Sequence, residues 1–237
     1  PPPPPPITPP PPPPPPTPAD CRRQRQMCIR DSDRVVPVVE ALASHGIVVS
    51  VDTSKPEVAA AAVAVGAEVV NDVTGLTDPD MADLCDETGV GVVIMHMQGN
   101  PRSMQSDPTY GDVVADVAAF LRDRTAAAIE RGIEASRIVV DPGIGFGKTF
   151  DHNLALLGAI DELGGGQPVL VGTSRKSFLG TILEHAGRPS APSDRDTATA
   201  ATVALAVAAG AAVVRVHNAA GAVDAARTAD AIVRVHE

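Results

Sequence analysis

The sequence predicts an α/β fold built of parallel βα units, and three observations predict it. Six short runs of Val, Ile and Ala recur along the chain with little polar alternation, as strands buried on both faces require. Each run is followed by a helix-like stretch, which implies βαβ connections. Each run also stops at a polar or charged residue, and parallel sheets bind ligands at the carboxyl ends of their strands. The residues that end the runs are therefore one candidate site.

Residues 1–32 stand apart from this pattern. Of 24 prolines, 15 lie in the first 18 residues, a polyproline composition that cannot pack a core. Residues 20–32, with Cys21, Arg22, Arg23, Arg25, Met27, Cys28 and Arg30, show no strand or helix period. The expectation is a disordered, low-complexity segment over 1–32, foreign to the fold, and a single domain over 33–237.

The first run, 47–51, ends at Asp52, and Pro56 opens an Ala/Val helix that Gly66 stops. The second, 68–70, ends at Asn71 and leads to a helix over 80–88, closed by Gly89. The third, 90–95, ends at His96; a Gly-, Asn- and Pro-containing loop, 98–110, precedes a long helix over 112–131. The fourth, 138–140, ends at Asp141 and is followed by a helix over 151–163. The fifth, 169–171, leads to Thr173, Ser174 and Arg175, a helix from Lys176, a loop over 188–193 and an Ala-rich helix over 196–209. The sixth, 211–214, leads to Arg215 and His217 and a last helix over 219–235. Six strands suit a doubly wound sheet, whereas a βα barrel needs eight for closure, and periodicity alone leaves both open.

The formal charge of −10 argues against nucleic-acid binding, which needs a basic face. No apolar run approaches the roughly 20 residues of a membrane span, and the N-terminus lacks the apolar core of a secretory signal, so the cytoplasm is expected. Cys21 and Cys28 have no second ligand pair for zinc, and Cys85 reads as a small buried hydrophobe. His45, His152, His185 and His236 read as surface residues. The segment from Asp141 to Thr149 nearly matches a phosphate loop, but Pro142 stands where that loop needs Gly and the helix signal starts after the Lys-Thr pair. It reads instead as a glycine-rich loop that lets backbone approach a flat or anionic ligand, with Lys148 ordering the loop itself.

Six motifs occur in one order: Ser50-Val51-Asp52-Thr53-Ser54-Lys55-Pro56, Asn71-Asp72, Met95-His96-Met97-Gln98-Gly99-Asn100-Pro101, Asp141-Pro142-Gly143-Ile144-Gly145-Phe146-Gly147-Lys148, Gly172-Thr173-Ser174-Arg175-Lys176-Ser177 and Val214-Arg215-Val216-His217. In order and spacing they resemble dihydropteroate synthase, and the resemblance covers 33–237. It implies a TIM (β/α)8 barrel, here with its last six βα units, that joins 6-hydroxymethyl-7,8-dihydropterin diphosphate to 4-aminobenzoate with release of pyrophosphate, using Mg²⁺. It further implies that Asn71 and Asp141 hold the pterin edge, that Asp52 is a third carboxylate close to the ring and diphosphate, that Met95 makes an apolar ring contact, and that Lys176 is the cation beside the pterin. Ser177 would bind the aminobenzoate carboxylate, and Arg215 and His217 the leaving diphosphate. Asp52, Lys176, Arg215 and His217 are then the catalytic set, which works by positioning and charge stabilisation. His96 is expected to be structural.

Two departures from the family pattern stand out. Asn218 occupies a position that ordinarily holds Asp, which weakens any stabilisation of a charged His217. Two further N-terminal βα units, with the Asn that ligates the metal, find no counterpart before Asp33, so no metal ligand is assigned. A barrel without those strands is expected to have two exposed parallel edges, poor solubility and no turnover. The rival readings are a catalytically silent pterin-binding paralogue, motivated by Asn218, and a pterin-dependent methyltransferase, which the Ser174 to Ser177 segment disfavours. The family also implies a homodimer through the late helices.

Overall fold

The chain, described here as a computed structural model, is placed over residues 18–99 and 103–235. The polyproline run, Asn100, Pro101 and His236 lie outside the described residues. The elements run α1 (Pro18–Ala43), β1 (Ser50–Asp52), α2 (Pro56–Ala64), β2 (Val69–Asp72), α3 (Pro79–Thr88), β3 (Gly91–Met95), α4 (Val113–Glu130) and β4 (Ile138–Asp141). They continue with α5 (Phe150–Gly158), α6 (Ile160–Leu163), β5 (Leu170–Val171), α7 (Ser177–His185), α8 (Asp196–Ala208), β6 (Val213–Val214) and α9 (Ala219–Arg234).

All six expected strands form, every pairing is parallel, and the strands stand side by side in chain order. β1 to β4 make one sheet, β5 pairs with β6, and a bridge between Val140 and Val169 joins the two. This succession of βα units is the wall of a TIM-type barrel rather than the reversing order of a doubly wound sheet. Val51, Val70, Ile94, Ile138, Val140 and Val171 from the strands pack against Ala59, Ala62, Met81, Leu121, Leu156 and Leu179 from the helices. Each fully buried Val, Leu or Ile contributes about 1.5–3 kcal/mol of burial free energy. Ala59 and Ala62 are fully buried, so the small residues of α2 let that helix lie close against the wall. At the two ends of the sheet, Ile47 and Val48 before β1 and Val213 in β6 remain exposed, as the count of six strands leads one to expect.

Two elements differ from the sequence reading. Residues 20–32, expected to lack regular structure, belong to α1, which runs on without a break into 33–43. The segment has Arg, Gln and Met, good helix formers, and no Gly. Tertiary contacts also fix its middle: Asp31 pairs with Lys55, and the buried Cys28 places its Sγ 3.6 Å from Glu57 Oε2. The helix passes through Pro37, which is exposed, so water can satisfy the carbonyl that loses its partner. The helix expected over 151–163 is broken at Ala159, whose φ of −131° and ψ of 32° are not helical.

Beyond β2 the fully buried Asp72 builds a turn. It accepts from the Thr74 amide at 2.8 Å and the Leu76 amide at 3.1 Å, and it holds Leu76 at a φ of 55°. Its partners are all local, so Asp72 shapes the rim while its neighbour Asn71 faces the site.

Candidate functional site

The carboxyl ends of the strands bring the expected polar residues together. Asp52 is the last residue of β1, Asn71 the third of β2 and Asp141 the last of β4, while Arg215 follows β6. Asn71 Nδ2 donates to Asp52 Oδ2 at 2.9 Å, and Arg215 Nη1 donates to Asn71 Oδ1 at 3.2 Å. Arg215 Nη2 donates to Asp141 Oδ2 at 3.1 Å. Four side chains from four strand ends thus form one continuous line of donors and acceptors. Asn71 and Asp141 are buried, whereas Asp52 is exposed and the Arg215 side chain is 41% exposed.

Asp141 is the most deeply placed charge. Burial pushes its carboxyl up; the Arg215 charge, the Gly143 amide donating at 2.7 Å, and then Lys176 and Lys148 pull it down. Three cations therefore surround one buried carboxylate, an arrangement that suits an anionic ligand in an otherwise acidic protein.

The glycine-rich loop after β4 is shaped by close approach. A Cβ at Gly143 would lie 1.9 Å from the His96 carbonyl oxygen, and one at Gly147 would lie 2.6 Å from that of Gln98, so neither position admits a side chain. Asn153 reaches back from α5, accepting from the Gly145 amide at 2.6 Å and donating to the Thr149 carbonyl at 2.7 Å. On the other flank, Tyr110 Oη donates to the Gly147 carbonyl at 2.7 Å. Lys148 turns inward and is buried, with Nζ 3.0 Å from His96 Nδ1 and 3.0 Å from the Phe146 carbonyl. Burial holds the Lys148 ammonium down at about 7. Burial and then the Lys148 charge push His96 down to about 3, which favours the neutral ring. No helix starts at Lys148: Thr149 caps α5, which begins at Phe150 and excludes a phosphate-loop geometry.

The turn after β5 places Lys176 and fixes the histidine. Lys176 Nζ lies 3.8 Å from the centroid of the Phe146 ring, and burial brings the lysine down to about 8. Arg175 adopts a φ of 59°, costly for a residue with a Cβ, and is held there from α8. It donates to both carboxylate oxygens of Asp196 at 2.8 and 3.0 Å, while Arg195 Nη1 donates to its carbonyl at 2.9 Å. Ser177 is the exposed first residue of α7. His217 is fixed by Ser174, whose Oγ lies 2.8 Å from His217 Nδ1 and accepts from the His217 amide at 3.0 Å.

Three placements correct or extend the sequence reading. Met95, expected to touch a ligand ring, is fully buried and offers it no surface. His152, expected on the surface, is half-buried: its Nδ1 accepts from the Thr149 amide at 3.3 Å to complete the cap of α5, and its ring meets Tyr110 edge-on. Asn218 does not orient His217; it donates to Asp196 Oδ2 at 3.2 Å and caps α9 through Gly221. The positioning roles of Asn153 and Ser174 were not read from the sequence. Ser174 sits inside a motif already singled out, but its partner is 43 residues away, and Asn153 has no local signal beyond following a capping Thr.

The chain matches the family of pterin binding enzymes over residues 23–217, a span that begins inside α1. It is 47% identical over 203 residues to a dihydropteroate synthase of Mycobacterium leprae, covering 84% of this chain and 71% of that one. Among solved structures it is similar to the Yersinia pestis dihydropteroate synthase with a sulfonamide drug, with a TM-score of 0.81 and 38% identity over 86% of this chain and 73% of that one. It is also similar to the Xanthomonas albilineans enzyme in complex with 7,8-dihydropteroate, with a TM-score of 0.76 and 42% identity over 84% and 72%.

Proposed function

The chain belongs to the pterin binding enzyme family, and from that premise we propose that it is a dihydropteroate synthase, a transferase of folate biosynthesis. It joins 6-hydroxymethyl-7,8-dihydropterin diphosphate to 4-aminobenzoate, giving 7,8-dihydropteroate and pyrophosphate. The observation that carries the reading is the line of Asp52, Asn71 and Asp141 at the strand ends. A pterin presents ring N–H groups, an exocyclic amine and a carbonyl along one edge. Recognising that edge takes carboxylates and an amide held in fixed positions, and Asn71 supplies both a donor and an acceptor. The product bound by the Xanthomonas relative carries the same ring.

In the reaction, the C–O bond to the diphosphate breaks with its electron pair leaving on oxygen. The aminobenzoate nitrogen forms the new C–N bond and releases its proton. An aromatic amine is already nucleophilic, so the protein's work lies in holding the reactants and stabilising charge. Arg215 and His217 receive the negative charge that develops on the leaving group. Ser174 keeps the His217 ring in place by binding Nδ1, which leaves Nε2 for the anion. Asp52 and Asp141 stabilise the cationic pterin methylene, Lys176 stands beside the ring, and Ser177 at the start of α7 binds the aminobenzoate carboxylate, aided by the exposed amides of that helix end.

Magnesium enters this reading through the diphosphate, whose oxygens are its natural ligands. Among the described residues no group of three or more His, Cys, Asp or Glu comes together to hold a metal. No helix among the described residues is long and apolar enough to cross a membrane. The assembly is a homodimer through α8 and α9, which enclose an apolar groove of about 450 Å³ and expose Leu205 and Ile232.

The test is calorimetric titration with 6-hydroxymethylpterin and with the pterin diphosphate, beside an assay of dihydropteroate formation. Binding of the ring, weakened by Asp141→Asn, supports the assignment. A chain that binds neither compound overturns it.

A further inference from the structure

Arg215 makes its two long-range hydrogen bonds to the groups that the proposed function assigns to the pterin edge. Its Nη1 and Nη2 donate to Asn71 Oδ1 at 3.2 Å and to Asp141 Oδ2 at 3.1 Å. A Cβ built on Gly172 would meet Nη2 and Nε at 3.4 and 3.5 Å and Cζ at 3.8 Å, so the Nε–Nη2 edge of the guanidinium lies close against Gly172. A planar group with two N–H donors aimed at an amide oxygen and a buried carboxylate has the donor pattern of a pterin's pyrimidine half. That ring half contains a guanidine, since the exocyclic amine and the neighbouring ring N–H share one carbon.

We infer that Arg215 is an internal surrogate of the substrate ring, competing with a pterin for Asn71 and Asp141 and becoming available to the diphosphate only when the ring displaces it. This rests on the reading of the site as a pterin diphosphate site. The guanidinium stands where the ring edge would dock, so the two cannot face Asn71 Oδ1 and Asp141 Oδ2 at once, and without Arg215 the 1% exposed Asp141 would keep only the Gly143 amide as donor. The ring must therefore bring the donors that Arg215 withdraws. Release is cheap on the arginine's side because its side chain is 41% exposed and can turn to solvent or to an anion beside His217. Recognition of the ring edge and capture of the diphosphate are thus two ends of one movement, and by linkage an anion that draws Arg215 away favours the ring by the same factor that the ring favours the anion.

The experiment titrates the whole chain with 6-hydroxymethylpterin, which has the ring and no diphosphate, with and without saturating inorganic pyrophosphate. Wild type is expected to bind the pterin about tenfold more tightly when pyrophosphate is present. Arg215→Met, which keeps length and removes the donors, is expected to bind the pterin about tenfold more tightly than wild type and to be indifferent to pyrophosphate. Arg215→Lys keeps the charge but cannot span both acceptors, and it is expected to show the same tightening in the absence of pyrophosphate. Pterin affinity that is unchanged or weakened in both variants overturns the inference and leaves the functional reading standing, as does a wild type whose pterin affinity ignores pyrophosphate. A chain that binds no pterin in any arm overturns the functional reading and this inference with it.

Discussion

Asp141 concentrates the demands of the site in one side chain. It is fully buried, is held against the Gly143 amide, and takes its main compensating charge from Arg215. Asp141→Asn keeps the shape but loses the charge and one of the acceptor positions, so pterin affinity is expected to fall by about 100-fold, on the scale of a lost charged hydrogen bond. Calorimetry measures this directly. Lys148 gives the protein a pH signature of a different kind. Its ammonium is held at about 7 by burial, against 10.5 for a free lysine, so the unfolded chain binds more protons than the folded one between those values. Folding stability therefore carries the full burial penalty below pH 7 and recovers it as pH rises through that window, by on the order of a few kcal/mol. Thermal melts of Lys148→Met between pH 6 and about 10 are expected to show a flatter slope than wild type, whatever the absolute midpoint. These two residues also mark what sequence could show at this scale. Asp141 was legible because it ends an apolar run; the inward turn of Lys148 toward His96 was not, because nothing local distinguishes a buried lysine from a solvated one.

Secondary-structure elements act here by holding short turns in costly conformations. Asp196 at the start of α8 grips Arg175, and through it the turn that delivers Lys176 to the ring of Phe146. Asp196→Ala releases that grip without touching a ligand, and pterin diphosphate affinity is expected to drop about tenfold while the helical circular dichroism stays unchanged. Asn218→Ala removes a helix cap, a loss of about 1 kcal/mol in denaturant unfolding, and leaves pyrophosphate affinity as it was because His217 is oriented by Ser174. Strand and helix positions were legible in the sequence because apolar runs, Pro starts and Gly stops are local signals, and α2, α3, α4 and α9 lie within a residue or two of their expected limits. The beginning of α1 was not, since the helix is held at its middle by Lys55 and Glu57, residues more than 20 positions away. The break at Ala159 had no composition signal at all, Gly158 being the only hint.

For the molecule as a whole, the order of strands decided what periodicity left open. Six parallel strands in simple succession curve into a barrel wall, and the motif spacing had pointed there through family resemblance rather than through pattern. The face formed by α8 and α9 follows from the same succession, for it is the outer surface of the last βα units. Leu205 is 68% exposed and Ile232 63%, which is unusual for such residues outside an interface. The double variant Leu205→Glu, Ile232→Glu is expected to sediment as a monomer where the parent chain sediments as a dimer, and a monomeric parent would remove the dimer from the proposal. One feature of the core has a use at the bench. Cys85 lies on the inner face of α3, is fully buried, and has its thiol pushed up to about 11 by the surrounding apolar layer. A thiol reagent can reach it only while α3 has lifted from the sheet. The labelling rate of the peptide that contains Cys85 is therefore a clock for that lifting, and its slowing on addition of a pterin would report occupancy of a site that the reagent never touches.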